Sequence, residues 1–307
     1  MMRDCAPRRG FALMTVLWVM TVAALIAAAA AARGRAAVSA TRNRAELERA
    51  HWSAIACASE LRASIDDALS AASSPMGRAD VWRMLHQTVP DARAPGCFAS
   101  LEAAGTRLDV NSASPEMLDS LFATLGYGES SHAMSASLAD WRDSDDVALP
   151  DGAEAEWYAG QHRHRPRNGP IADLRELRRV RGFENIHGLD SVLSVDPGRV
   201  SLATAGVPVL MAVPGIARET AELLVTRRDA GSPVRDILAV LPELSSPSAL
   251  AIEAHYSEIV RLTTADPDAW TLRARGWSGE PRNLATIEWR LVRADARTIV
   301  VAVRDDI

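Results

Sequence analysis

The chain of 307 residues contains no lysine, so all 34 of its basic residues are arginine. This absence excludes a lysine Schiff base and the lysine of a phosphate-binding loop. The three cysteines are too few for a disulfide scaffold or a four-thiolate zinc site. A net charge of −5 argues against a dedicated nucleic-acid-binding protein. Since the sequence also has no recognisable serine-protease triad, glycine-rich phosphate loop or zinc-binding HExxH helix, no enzymatic activity is predicted.

The N-terminus joins a short basic segment to a long apolar one. Residues 1–10 contain three arginines and one acid, and residues 11–32 contain no charge. As a helix the apolar segment would be about 33 Å long, which is enough to cross a hydrocarbon core of about 30 Å. A cleaved secretory signal peptide and a plain signal anchor are the alternatives. The alanine-rich end could supply a cleavage site, and arginines on both sides leave the orientation open.

The junction Arg9-Gly10-Phe11 resembles the processing site of type IV prepilins. In that family a membrane peptidase cuts after the glycine and methylates the new amino-terminal phenylalanine, so the apolar helix remains as an anchor. The resemblance implies that Gly10 and Phe11 are the processing site and that residues 1–10 are a leader. Ordinary pilins have glutamate as the fifth mature residue, where this chain has Thr15. The K-type minor pseudopilins of type II secretion systems also lack that glutamate, and in this respect the chain resembles them. The alternative is that threonine is merely tolerated at this position of a membrane helix.

The helix is predicted to continue beyond the apolar segment. Residues 33–72 contain no proline, and apolar side chains recur at intervals of three and four on one helical face. These are Leu47, Ala50, Ala54, Cys57, Leu61, Ile65 and Ala68 or Leu69. One rod from Phe11 to Ala72 would be about 93 Å long. A membrane helix followed by a separate soluble helix is the alternative.

Strand patterns flank a helical region. A short hairpin is predicted within residues 97–110, and alternating or β-branched segments predict three strands within residues 270–304. Between them, short amphipathic segments are broken by proline and glycine. The sequence therefore predicts an α+β fold, with a pilin-like long helix and an antiparallel sheet in a head formed by residues 73–110 and 263–307. A large all-α domain, residues 111–262, is inserted into that head.

The inserted region contains an internal repeat. Residues 107–121 align with the residues 92 positions further along the chain. We expect Ser112 and Thr204 to cap the two short helices that follow, and Leu118 and Leu210 to be buried by them.

The second copy of the repeat continues into a turn that looks like a helix-hairpin-helix. The turn, residues 213–217, precedes a predicted helix at 218–228. In DNA-binding versions the backbone N–H groups of this turn hold a phosphate. A membrane-anchored DNA-uptake protein is therefore the alternative function. Structural packing is favoured, because Ala217 replaces an expected glycine and the nearby Glu219 and Glu222 would repel phosphate.

Residues 140–158 contain seven acids and one arginine. Carboxylates this close repel one another, and calcium, which takes six to eight oxygen ligands, would relieve the repulsion. The predicted ligands are Asp143, Asp145, Asp146, Asp151 and Glu154. The spacing is not that of an EF-hand, and the alternative is a solvated acidic loop that pairs with the arginine-rich stretch 163–181. The adjoining motif HRHRPR, residues 162–167, suggests a metal or phosphate site or simply an exposed loop.

Taken in order, the prepilin-like junction, the missing glutamate, the duplicated helical insert, the Gly152-Ala-Glu segment and the terminal strands resemble the type II secretion system protein K family. The resemblance implies a single-pass inner-membrane protein that is not an enzyme, with a calcium-binding head in the periplasm. It would lie at the pseudopilus tip and initiate pseudopilus assembly for protein export across the outer membrane. Its partners would be the minor pseudopilins of types I, J and H, the prepilin peptidase and the inner-membrane assembly platform, with no nucleic acid. Since Cys5 would be lost with the leader, Cys57 and Cys97 are left available for a disulfide.

Overall fold

The computed structural model describes residues 9–87, 91–279 and 283–306. Its first element is one uninterrupted helix of 63 residues, α1 (Arg9–Ala71). This confirms the single rod, which is about 94 Å long at 1.5 Å per residue, and excludes two separate helices. Between residues 13 and 32, the apolar part of α1 has no buried side chain. Within the described ranges α1 is the one helix long and apolar enough to cross a membrane.

The C-terminal half of α1 buries one face. The buried side chains are Ala50, Ala54, Cys57, Ala58, Leu61, Ile65 and Leu69. Leu69 rather than Ala68 therefore ends the predicted stripe, because Ala68 is exposed. Small side chains let the helix lie close to the sheet: a Cβ atom at Gly276 would be 1.9 Å from the carbonyl oxygen of Ala50. Alanine on the helix and glycine on the strand thus fix where the rod crosses the head.

A five-stranded antiparallel sheet packs on this face of α1. Its strands are β1 (Asp91–Ala94), β2 (Cys97–Ala103), β7 (Ala269–Ser278), β8 (Asn283–Ala294) and β9 (Arg297–Asp306), in the order β1-β2-β7-β8-β9. The hairpin predicted within residues 97–110 is wrong, since β2 pairs with β1 before it and with β7. Residues 91–94 carry little strand pattern, so the sequence did not reveal this partner.

The chain leaves the sheet after Ala103 and returns at Ala269, which lie at neighbouring positions of the paired strands β2 and β7. The backbone N–H of Ala104 donates to the carbonyl of Ala269 at 2.9 Å. The structure therefore inserts residues 104–268 into the head, a wider range than the predicted 111–262. Helix α2 (Pro75–Gln87) lies between α1 and β1 in the chain. Its Trp82 stacks on Trp270 of β7, with 4.9 Å between the ring centroids.

The insert consists of two halves that both begin with a two-residue strand followed by two helices and end with a two-residue strand. The first contains β3 (Leu108–Asp109), α3 (Pro115–Thr124), α4 (Ser130–Arg142), α5 (Ala155–Gly160), 3-10 helices at Leu174–Arg179 and Leu189–Ser191, and β4 (Leu193–Ser194). The second contains β5 (Val200–Ser201), α6 (Val207–Met211), α7 (Arg218–Asp229), a 3-10 helix at Ile237–Glu243, α8 (Ser246–Leu262) and β6 (Thr263–Thr264). Each half is closed by a parallel pairing of its first and last strands, β3 with β4 and β5 with β6.

The internal repeat corresponds to the start of each half. Leu118 and Leu210 are both fully buried, which confirms their predicted place in the core. The predicted caps are wrong: α3 is capped by Ser114, whose side chain accepts a hydrogen bond from the N–H of Met117, and α6 begins after Gly206. Ser114 rather than Ser112 is the cap, because Pro115 then occupies the first position of the helix, which proline favours.

A second shared feature is an arginine that makes corresponding hydrogen bonds within each half. Arg142, at the end of α4, donates to the carbonyls of Val110 and Ala113 in the loop before α3. Arg228, near the end of α7, donates to two carbonyls of the corresponding loop, those of Thr204 and Ala205, at 3.2 Å each. In both halves an arginine on the second helix therefore satisfies the loop that leads into the first.

Candidate metal centre

Three carboxylates of the acidic segment converge at the end of α4. Asp140 lies in the last turn of the helix, and Asp143 follows its end in extended conformation. The chain then folds back so that Glu154, at the start of α5, faces both. One oxygen from each of the three side chains lies within 4.8 Å of the other two. Oxygen donors at this density are what a hard cation such as calcium takes.

The returning loop is shaped around Asp140, which is fully buried. The backbone N–H of Leu149 donates to its carboxylate at 3.1 Å. Gly152 passes so close that a Cβ atom there would lie 2.0 Å from Oδ2 of Asp140. Burial raises the pKa of Asp140, and the N–H groups of Leu149 and Ala153 offset part of that rise. A side chain at position 152 would thus displace the carboxylate at the centre of the cluster.

The other two carboxylates have oxygens without a donor. Both carboxylate oxygens of Glu154 and Oδ1 of Asp143 are buried and have no hydrogen-bond partner. Burial and the neighbouring Asp140 and Asp143 carboxylates raise the pKa of Glu154 to about 7. Burial, with Asp145 and Asp140 nearby, also raises the pKa of Asp143. Since buried polar atoms in native proteins nearly always have partners, these orphaned oxygens fit a bound cation.

The structure brings together two of the five predicted ligands, Asp143 and Glu154. The other three, Asp145, Asp146 and Asp151, are exposed and lie outside this cluster. The Oδ1 atom of Asp145 accepts from the N–H of Val147 two residues on, which is a local turn. Sequence reasoning missed Asp140, although its spacing of three residues from Asp143 indicates a shared helical face.

Side chains of the arginine-rich stretch 163–181 donate hydrogen bonds to backbone carbonyls of the acidic loop. Arg181 donates to the carbonyl of Gly152 at 2.9 Å, and Asn168 donates to the carbonyl of Asp145 at 3.0 Å. Among the described residues, no ion pair joins an arginine of this stretch to the acids of residues 140–156; Arg163 instead pairs with Glu184. The alternative of a loop neutralised by these arginines is therefore not what the fold provides.

The two remaining predicted sites both involve α1. Cys57 and Cys97 form a disulfide that joins α1 to β2, with a Cα–Cα distance of 6.2 Å. Gly10 and Phe11 lie in the first turns of α1, and most of the leader, residues 1–8, lies outside the described residues.

The turn that resembles a helix-hairpin-helix is present but faces the protein interior. Gly215 has a φ of +83°, and a Cβ atom there would lie 2.9 Å from the carbonyl oxygen of Ala251 on α8. At the start of α7, Glu219 accepts hydrogen bonds from Ser245 and from Ser248. Packing against α8 and a carboxylate at this helix terminus oppose phosphate binding, so the geometry does not favour the DNA-binding alternative.

Comparisons with known proteins agree with this architecture. Residues 96–187, which include the carboxylate cluster, match a family described as type II secretion system (T2SS), protein K. A chain in the crystal structure of the GspK-GspI-GspJ complex from the enterotoxigenic Escherichia coli type 2 secretion system is similar in fold, with a TM-score of 0.64 and 18% identity. The alignment covers 87% of this chain and 99% of that one. Comparison with curated proteins gave no match. The family match over residues 96–187 and the similar fold over most of the chain both agree with the resemblance read from the sequence.

Proposed function

We propose that this protein is a minor pseudopilin at the tip of the type II secretion pseudopilus, where it initiates assembly of the fibre for protein export across the outer membrane. The observation that carries the proposal is the construction of α1. Its N-terminal part is apolar and exposed over a membrane-spanning length, and the same helix continues without a break under the sheet of the head. Such a rod anchors the subunit in the inner membrane with its head in the periplasm.

Two features support a place at the tip. Thr15 lies on the apolar part of α1 at the position where ordinary pilins have glutamate. A carboxylate inside a bilayer is costly unless it is paired, so a subunit with no neighbour above it has no use for one. The insert, residues 104–268, joins the sheet at Ala103 and Ala269, at the end of β7 opposite to Ser278. Ser278 hydrogen-bonds to Glu46, which lies on α1 towards the apolar segment, so the insert is attached at the other end of the sheet, where it would obstruct a subunit stacked above it.

The proposed partners are the minor pseudopilins of types I, J and H, the prepilin peptidase and the inner-membrane assembly platform. The similar fold found in a GspK-GspI-GspJ complex supports the first two pseudopilins. The peptidase would cut between Gly10 and Phe11 and methylate the new terminus.

We also propose that the carboxylate cluster holds calcium. Asp140, Asp143 and Glu154 would be its side-chain ligands, and the orphaned oxygens of Asp143 and Glu154 support this assignment. The ion would supply the positive charge that three close carboxylates lack. It would thereby hold the loop between α4 and α5 in place.

Processing is tested by mass analysis of the mature N-terminus in cells that contain the peptidase. Gly10→Ala should retain the leader, whereas the matched change Gly34→Ala, at a helix position where a Cβ atom meets nothing within 4 Å, should be processed normally. A mature product of normal mass from the first variant, or a wild-type product that starts beyond residue 32, would contradict the anchor.

Location is tested by labelling the head on isolated pseudopili for electron microscopy. Label at one end of each fibre is the expected result, because the tip is a single position. Label spread along the fibres would overturn the assignment to the tip while leaving the anchor intact.

Calcium binding is tested by titration calorimetry on the full chain in a neutral detergent. Glu154→Gln should abolish most of the calcium signal, and Glu156→Gln, an exposed acid two residues away, should leave it unchanged. Equal signals from wild type and both variants would reject the proposed ligand set.

A further inference from the structure

A cavity of about 460 Å³ lies beside α4, and four arginines line it. Arg165 and Arg167 come from the loop after α5, whereas Arg175 and Arg179 come from the 3-10 helix at Leu174–Arg179. The buried ring of Trp141 also lines it. The fold therefore gathers, in one concave site, positive charges from two separate segments.

The cavity has more positive than negative charge. Two of its arginines have partners inside it: Arg167 pairs with Glu176 at 3.1 Å, and both Nε and Nη2 of Arg175 donate to the carboxylate of Asp173. In the described part of the chain, Arg165 and Arg179 pair with no carboxylate. Four guanidinium groups against two carboxylates leave a net charge of +2 in a protein whose net charge is −5.

We propose that this cavity is a docking site for an aspartate- and glutamate-rich segment of a partner protein. Guanidinium groups present several N–H donors to carboxylates, and Arg175 directs two of them at the Oδ2 atom of Asp173 within the cavity itself. A concave site admits individual side chains, whereas a flat anionic bilayer would need cations spread over an open surface. The resident carboxylates of Asp173 and Glu176 repel a doubly charged phosphate more than a singly charged carboxylate.

The cavity is separate from the carboxylate cluster, although both use α4. Trp141 lines the cavity, while Asp140 and Asp143 belong to the cluster. Consecutive residues of a helix point about 100° apart, so the two sites occupy different faces of α4. This inference goes beyond the assembly role proposed above and stands or fails independently of it.

The test measures binding of a fluorescent decapeptide of glutamate to the full chain in phosphatidylcholine nanodiscs. The charge-removing pair Arg165→Ala and Arg179→Ala is compared with a matched pair, Arg178→Ala and Arg297→Ala, which removes two exposed arginines that do not line the cavity. A decaglutamine peptide is the neutral control. Thermal melting of all variants shows whether each remains folded.

We expect salt-sensitive binding of the glutamate peptide that is weakened about fivefold by the cavity pair and less than about twofold by the matched pair. Equal weakening by both pairs would overturn the proposal, because it would show diffuse attraction to surface charge. Equal binding of decaglutamine would also overturn it. So would failure to bind the glutamate peptide at low salt, including the case in which the chain instead binds phosphatidylglycerol vesicles through the same two arginines.

Discussion

The two halves of the insert begin with the same elements, but one is completed by a packed helix and the other by a loop around carboxylates. Both begin with a two-residue strand and a buried leucine, both use an arginine to bind the first loop, and both place an aspartate as cap of a 3-10 helix. After the second helix they differ. The second half continues into α8, which packs on the hairpin turn, whereas the first continues into a polar loop folded around three carboxylates.

The two halves share a scaffold of one short strand and two helices, and they differ in the segment that follows it. The second half is held by packing, because the turn at Gly215 lies against α8 with no space for a side chain. The first half contains buried carboxylate oxygens without donors. We therefore expect the first half alone to depend on calcium and to lose stability as the pH rises, and both halves to depend equally on their leucine cores.

The shared scaffold is the source of the largest expected effect. Leu118 and Leu210 are equivalent and fully buried, so replacement of either by alanine removes the same volume from a closed core. Each change should lower the free energy of unfolding by about 3 kcal/mol, within a usual range of about 2–5 kcal/mol. Urea unfolding measures this, with Leu250→Ala on exposed α8 surface as the control that should stay near wild type. A large loss from one leucine only would break the equivalence of the halves.

The first half should become less stable as the pH rises when calcium is removed. The ordinary pKa of glutamate, 4.5, is raised to about 7 at Glu154, so the folded protein binds this proton more tightly than the unfolded chain does. The stabilisation is complete below pH 4.5 and is lost as the pH rises through about 7, by at most about 3 kcal/mol.

Urea unfolding in a chelator at pH 5 and pH 8 measures this loss. Glu154→Gln should abolish most of the difference between the two pH values, and Glu156→Gln should retain it. Calcium should restore stability at pH 8, since an ion that binds only the folded state stabilises it. Identical pH dependence of wild type and Glu154→Gln would show that the carboxylate is not titrating in this range.

Two glycines test the same contrast with a smaller change. Gly152→Ala in the first half should displace the Asp140 carboxylate, which lies 2.0 Å from the added Cβ atom, and so weaken calcium binding. Gly215→Ala in the second half should lower stability by about 2 kcal/mol through crowding against α8 and a left-handed backbone, with calcium binding unchanged. Calorimetry and urea unfolding on both variants check this. Weaker calcium binding in Gly215→Ala would couple the halves and contradict their independence.

The sequence predicts the parts of the fold that depend on periodicity. The run of apolar residues along α1 and the alternation in β7, β8 and β9 are local patterns, and the structure has these elements. The partner of β2 was missed because β1 is four residues long and has no alternation to reveal it. The helix caps were misplaced because several hydroxyl-bearing residues in a row can each cap, and Pro115 decides among them.

The candidate site was predicted in outline only. Charge density located the acidic segment, but which carboxylates meet depends on how the loop returns to α4. That return is set by Gly152 and by donors from residues far along the chain, such as Arg181. The sequence similarity of the repeat is confined to its first residues, so it does not reveal that Asp173 and Asp236 each cap a 3-10 helix.

The smallest expected effect comes from an acid of the second half, and its sign is opposite to that of Glu154. Hydrogen bonds from Ser245 and Ser248 lower the pKa of Glu219 below its ordinary value of 4.5, because they favour the charged form. Its contribution to stability is therefore present above pH 4.5 and is lost as the pH falls below it. Glu219→Gln should lower the melting temperature slightly at pH 7 and leave it nearly equal to wild type at pH 3. Glu222→Gln, on the exposed face of the same helix, is the control and should differ less at pH 7. A deficit that grows towards acid pH would mean that Glu219 behaves like a buried, unpartnered carboxylate, and the two halves would then share the pH dependence that their different closures are expected to separate.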